Sequence, residues 1–194
     1  DAVGHGHEGH VLRLHVGGKA GVRVRGHVGR LDRARGAHAQ VVRAFLDADA
    51  RLAELVQDGT EVRGIAVADL DVASGSSLAV ISANALTISL ASGATAAIAG
   101  TFSAADGPHR LQAADADAIQ FTAGGKAAAL TGFTGNMFGV ATLNSVRFQS
   151  GSVYAQGAGA NPFGVTQPSS IVVFDHGSLY QVNTRPWLHQ LGQV

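Results

Sequence analysis

From residue 64 onward the chain alternates short apolar stretches with small or polar residues and breaks at glycine. One phrase recurs five times: an apolar residue, two small or polar residues, a glycine, then a small residue. It reads Val72-Ala73-Ser74-Gly75-Ser76, Leu90-Ala91-Ser92-Gly93-Ala94, Phe121-Thr122-Ala123-Gly124-Gly125, Phe148-Gln149-Ser150-Gly151-Ser152 and Phe174-Asp175-His176-Gly177-Ser178. The glycines stand 18, 31, 27 and 26 residues apart. Good strand formers precede each glycine, and a second apolar stretch follows it: Leu78 and Val80, Ile98, Leu130, Val153, and Leu179 with Val182. Strand, tight turn, strand is the local prediction, because glycine enters positive φ without steric penalty.

Repeats of this length predict a solenoid, in which each unit buries its apolar face against its neighbour. The copies then stack as parallel strands about 4.8 Å apart. Val72, Leu90, Phe121, Phe148 and Phe174 are expected at equivalent inward positions, and Gly151 and Gly177 in turns. The alternative is an antiparallel hairpin fibre or sandwich in which the same glycines reverse the chain. Hairpin turns favour Asn-Gly and Asp-Gly, which none of the five phrases contains. The fold class expected is therefore mainly β, a parallel β-helix-like solenoid preceded by a small module with one helix.

That module has its own periodicities. Leu12, Leu14 and Val16 alternate with Arg13 and His15, and Val22 and Val24 with Arg23 and Arg25, predicting one or two half-exposed strands with Gly17-Gly18 as a turn. From about Ala37 the period becomes helical. Val41, Val42, Phe45, Ala48, Leu52, Leu55 and Val56 share one face, with Arg43, Asp47, Arg51, Glu54 and Asp58 off it. Gly59 is a natural stop. A helix over about 37–57 is predicted, either capping the open end of the solenoid or associating with other copies.

Composition sharpens the division. No serine occurs before Ser74 and no asparagine before Asn84, whereas ten of the fourteen Lys/Arg and six of the nine histidines precede residue 71. The expected organisation is a basic, His-rich attachment module at 1–58, a β-rich repeat domain at 64–184 and a tail at 185–194. Hydrophobic residues make up 46% of the chain but aromatics only 6%, and there are 26 glycines, so small apolar residues must do much of the packing. Formal net charge is zero and names no partner. Without cysteine there is no disulfide framework, thiol nucleophile or thiolate metal site. No run reaches the roughly 20 apolar residues of a membrane helix. The chain opens on Asp1 and its one methionine is Met137, which implies processing or a longer parent chain.

Several constellations invite chemistry. Gly4-His5-Gly6-His7-Glu8-Gly9 spells G-x-G-x-x-G, but lacks the preceding strand and following helix that a dinucleotide site requires. His5, His7, Glu8 and His10 can converge on a metal if the backbone curls, though His7-Glu8-Gly9-His10 is one residue short of H-E-x-x-H. Arg13, Lys19, Arg23, Arg25, Arg30, Arg33, Arg35 and Arg43 are opposed locally only by Asp32. Such a stretch suits phosphates or acidic polysaccharide, but without interleaved aromatics it reads better as a charged face packed against a partner. Asp115 and Asp117 share one side of a strand, and with Asp106 or Asp175 are candidates for a glycosidase pair or a Ca²⁺ site; solvated turn residues are the plainer reading. Asp175, His176 and Ser178 are consecutive rather than convergent, and no G-x-S-x-G elbow occurs. Gly125-Lys126 is followed by Ala127 and makes no P-loop. No catalytic, cofactor-binding or metal residue is therefore assigned, and no cofactor is expected.

Val172-Val173-Phe174-Asp175-His176-Gly177-Ser178-Leu179-Tyr180 and Leu86-Thr87-Ile88-Ser89-Leu90-Ala91-Ser92-Gly93 resemble rungs of extracellular β-solenoids. These include autotransporter passengers, filamentous adhesins, and the fibres and spikes of tailed bacteriophages. The resemblance covers about residues 64–184, is compositional, and carries over no residue role. It implies a non-enzymatic structural protein of a virion: a fibre, spike or head-decoration subunit. The expected partners are other copies, other virion or surface proteins and a host-surface glycan, without membrane insertion or nucleic acid. A polysaccharide-degrading β-helix enzyme using Asp115 and Asp117, and a secreted adhesin or carbohydrate-binding module at the cell surface, are the rivals.

Overall fold

A computed structural model describes residues 12–17, 22–25, 53–55, 64–140, 142–164 and 169–182. The repeats form strand pairs: β4 (Gly64–Val72) with β5 (Ser77–Ile81), β6 (Thr87–Ile98) with β7 (Thr101–Ala105), and β9 (Ile119–Phe121) with β10 (Lys126–Ala129). Two more follow, β11 (Val146–Phe148) with β12 (Val153–Gln156), and β13 (Val172–Phe174) with β14 (Leu179–Val182). β8 (Arg110–Ala113) lies beside the first half of β6. The first strand of each pair joins one sheet, here sheet B, and the second joins the other, sheet A. Every pairing between successive repeats is parallel. This is a β-solenoid, and the antiparallel alternative is excluded for the repeats.

Alternation fills the interior. Leu70, Ala96, Ile119, Val146 and Val172 occupy one inward column of sheet B, and Val72, Ile98, Phe121, Phe148 and Phe174 the next. Sheet A answers with Leu78, Phe102, Ala127, Tyr154 and Tyr180. Sizes compensate within these rungs: Ile98 shares its rung with Phe102, and Phe121 with the small Ala127, as close packing requires. Phe121 and Phe148 stack at 4.4 Å between centroids, and Phe148 and Phe174 at 4.8 Å. Phe138, from the loop before β11, sets its ring edgewise to Phe121 and Phe148.

One of the five expected equivalents is different. Leu90 belongs to a neighbouring column with Val67 and Ala113, and Ile98 takes the place expected for it. Pairing slips between Val67–Leu90 and Asp69–Thr95, so one residue of β4 faces four of β6. Gly93 (φ +80°) turns the chain inside that bulge. The true column members stand 26, 23, 27 and 26 residues apart, more regular than the glycines. Rung two is short because only Ala99-Gly100 separates its strands. The missing space is visible at Gly100, where a Cβ would strike the carbonyls of Ala73 and Ser76.

At the other four phrases the prediction holds. Gly75, Gly124, Gly151 and Gly177 have φ of 78°, 82°, 80° and 84°. The next residue's N–H closes back on the residue two before the glycine, as in Ser152 N–H to Gln149 O at 3.0 Å. Positive φ at the third position of such a turn is the type II pattern, which selects glycine. The turns also stack: the Gly124 N–H donates to the Gly151 carbonyl and the Gly151 N–H to that of Gly177.

Three strands precede the repeats: β1 (Leu12–Gly17), β2 (Val22–Arg25) and β3 (Ala53–Leu55). The two alternating segments are strands, as predicted, but they do not pair with one another. β1 joins sheet A antiparallel to β5, and β2 joins sheet B antiparallel to β4. Ala53–Leu55, which the expected helix covers, is instead β3, antiparallel to β1. The pairing edge of β1 overrides the local helical period there; the rest of 37–57 lies outside the described residues. The division between the module at 1–58 and the repeat domain at 64–184 is thus not a break in hydrogen bonding, because strands from before it extend both sheets. They turn the N-terminal end of each sheet from parallel to antiparallel pairing.

Candidate functional site

A cluster of polar side chains lies on the outer face of sheet B. Val146 and Phe148 point inward, so alternation places Arg147 outward between them. Its Nε donates to Asp117 Oδ1 at 2.8 Å, and its Nη1 to Asp175 Oδ1 at 2.6 Å. Asp117 enters β9 with φ +55°, and Asp175 opens the turn after β13. One guanidinium therefore bridges three successive rungs. Alongside it, Gln149 Nε2 donates to Gln120 Oε1 at 2.8 Å, and Gln120 Nε2 to the Asp117 carbonyl at 3.0 Å. The bonds to Asp117, then to Asp175, push the Arg147 guanidinium further above its ordinary value and hold it charged. Chemically the arrangement is a staple: both carboxylates are engaged by a cation that cannot release a proton.

Asp115 is used differently. Its Oδ2 accepts the Gly93 N–H at 2.6 Å, and its carboxylate also accepts the Ser92 hydroxyl. It caps the bulge in β6 from one rung away. Asp115 and Asp117, two apart in sequence, are thus committed to separate partners. Asp106 (φ +61°) lies on the loop after β7, packed against Gly132. The structure joins Asp117 with Asp175 through Arg147 and brings neither Asp115 nor Asp106 into that cluster. In the Asp175-His176-Gly177-Ser178 turn, the Ser178 hydroxyl donates to the Asp175 carbonyl at 2.6 Å, and His176 is exposed. These residues build a turn. Among the described residues no group of three or more His, Asp or Glu is placed to hold a metal.

The histidine cluster at His5, His7, Glu8 and His10 lies outside the described residues, as do Lys19, Arg30, Asp32, Arg33, Arg35 and Arg43. The three described members of the basic stretch share a feature. Register sets Arg13 opposite Glu54, Arg23 opposite Asp71 and Arg25 opposite Asp69. Each arginine is thus the register partner of an acid of its own chain, and opposite charges at such positions favour a register.

Three features went unread in the sequence. Arg147 gave no local signal, because its acids are 30 and 28 residues away. His109 is 1% exposed and bonded on both ring nitrogens. A second repeat was legible: Asn136-Met137-Phe138-Gly139 and Asn161-Pro162-Phe163-Gly164. In each, the Asn Oδ1 accepts the N–H of the Phe two residues on, at 2.8 and 2.7 Å, and the glycine has positive φ.

Comparison with known proteins finds no matching family, no matching curated protein and no matching solved structure.

Proposed function

We propose that this chain is a non-enzymatic structural component of a surface assembly, a virion fibre, spike or head-decoration subunit, whose solenoid serves as a stiff projecting element. The observation that carries the reading is the Asp117–Arg147–Asp175 bridge. The charged groups best placed for chemistry on the outer face join one rung to the next. Asp115 behaves likewise at the Gly93 bulge. The stacked Phe121, Phe148 and Phe174 rings support the same reading, since they fill the interior that a ligand would otherwise occupy.

The test is to locate the chain by electron microscopy of the native assembly with an antibody against residues 64–182, beside a glycan-depolymerisation assay. Regular labelling of particle surfaces is expected, with no cleavage activity that depends on the acids. A glycan-cleaving activity lost in a folded Asp115→Asn/Asp117→Asn variant would overturn the proposal in favour of the β-helix enzyme.

A further inference from the structure

The loop side of the solenoid contains a buried histidine that the structural reading does not use. His109 lies between the 82–86 connection, which leads from β5 to β6, and the end of β7. Its Nε2 is 3.0 Å from the Ser82 carbonyl and 3.0 Å from that of Ala105. Its Nδ1 is 3.2 Å from the Leu86 backbone nitrogen. These partners fix the tautomer. Two carbonyls only accept, so Nε2 carries the hydrogen; an N–H only donates, so Nδ1 must be bare. All three contacts are satisfied by the neutral ring and by no other form. Gly107 makes the approach feasible, since a Cβ there would collide with the Ser82 carbonyl and sit 3.2 Å from Nε2.

We propose that His109 is a pH-operated latch that holds the 82–86 connection onto the second rung at neutral pH and releases it on acidification. Protonation places a hydrogen on Nδ1 directly against the Leu86 N–H. That amide belongs to a fully buried residue and loses its acceptor. Burying the charge of the imidazolium is unfavourable as well.

The surroundings agree with this direction. Burial pulls the His109 pKa below 6.5, while the Ala105 and Ser82 carbonyls and the charge of Asp106 oppose it. Among the described residues packed on the ring, the 82–86 connection contributes Ser, Ala, Asn, Ala and Leu, and no ionisable group. The 106–108 segment contributes Asp106 alone, and Arg110 beyond it is exposed. The sign follows from the depressed native pKa. Above about pH 6.5 both open and closed states hold a neutral ring, and the latch is at full strength. As pH falls below 6.5 the open state takes up the proton first, and closure weakens down to the native pKa. Within that window each pH unit shifts the equilibrium up to about tenfold toward the open form. The segment released leads into β6, next to the strands that β1 and β2 extend.

Native-state hydrogen exchange on the full chain, with and without His109→Asn, tests this. At pH 5.0 relative to 7.5, the Leu86 amide of the wild type is expected to lose protection, corrected for intrinsic rates, by at most about tenfold per pH unit below 6.5. Val146 and Phe148 in the later rungs should keep theirs. In His109→Asn, whose side-chain oxygen can accept the same N–H but does not titrate, Leu86 protection should not change with pH. Unchanged wild-type protection, or an equal fall in the variant, overturns the proposal. Should the variant not fold, ¹⁵N titration of the wild-type ring decides: Nε2–H at neutral pH with a midpoint below 6.5 supports the latch, and a midpoint at or above 6.5 refutes it.

Discussion

Tyr154 shows how tightly single residues are bound to the stack. Its ring packs against Phe138, Phe148 and Tyr180, yet its hydroxyl is buried with no hydrogen-bond partner among the described residues. Burial pushes its phenol pKa up, and Tyr180 differs by donating its own hydroxyl to Gln156 Oε1. An unsatisfied buried hydroxyl costs about 1–3 kcal/mol. Tyr154→Phe is therefore expected to leave stability to denaturant unchanged or to raise it. A loss above about 1 kcal/mol would reveal a partner for the hydroxyl, such as an interior water. Two turn glycines from neighbouring rungs separate two causes. Gly151→Ala must adopt positive φ but meets only ordinary contacts, so a cost of roughly 1 kcal/mol is expected. At Gly125 a Cβ would collide with the Ile98 carbonyl and approach the Thr122 carbonyl to 2.9 Å. Gly125→Ala should therefore be the more destabilising of the two by thermal or chemical melts, and the reverse order would contradict the turn geometry.

At the scale of elements, what was legible depended on how local its cause was. Strand–turn–strand units at Gly75, Gly124, Gly151 and Gly177 could be read because a type II turn needs glycine at one position. Leu90 was misplaced because its phrase has the right residues, and only the long-range register shows that Ile98 occupies the column. The irregular glycine spacing of 18 then 31 was the available sign of a bulge followed by a short turn. β3 escaped for a similar reason: Ala53-Glu54-Leu55 fits a helical face, and only the edge of β1 makes it a strand. The candidate acids were identifiable as acids, but their roles depend on Arg147 and on Gly93, each a rung away. The excess of basic residues looked unopposed for the same reason, since Asp69 and Asp71 lie over 40 residues from the arginines that are their register partners. A charge swap tests that pairing. Asp71→Arg alone places like charges opposite one another, and combining it with Arg23→Asp should recover roughly 0.2–1 kcal/mol of the loss. Strictly additive effects would show that the two positions do not interact.

For the whole molecule, the two ends of the stack are built differently. β2 and β3 close the N-terminal end with antiparallel pairing, whereas β13 and β14 end the described stack with parallel neighbours on one side. Between them the rungs are bound by ladder hydrogen bonds, by the Phe121–Phe148–Phe174 stack inside and by the Arg147 bridge outside. All three depend on one register, in which Gln120, Arg147 and Val173 are direct neighbours across sheet B. Nuclear Overhauser contacts in the isotope-labelled full chain measure that register. Backbone contacts from Arg147 to both Gln120 and Val173 in the parallel pattern are expected. Strong Hα–Hα contacts between β11 and β12, the mark of an antiparallel hairpin across Gly151, would contradict it.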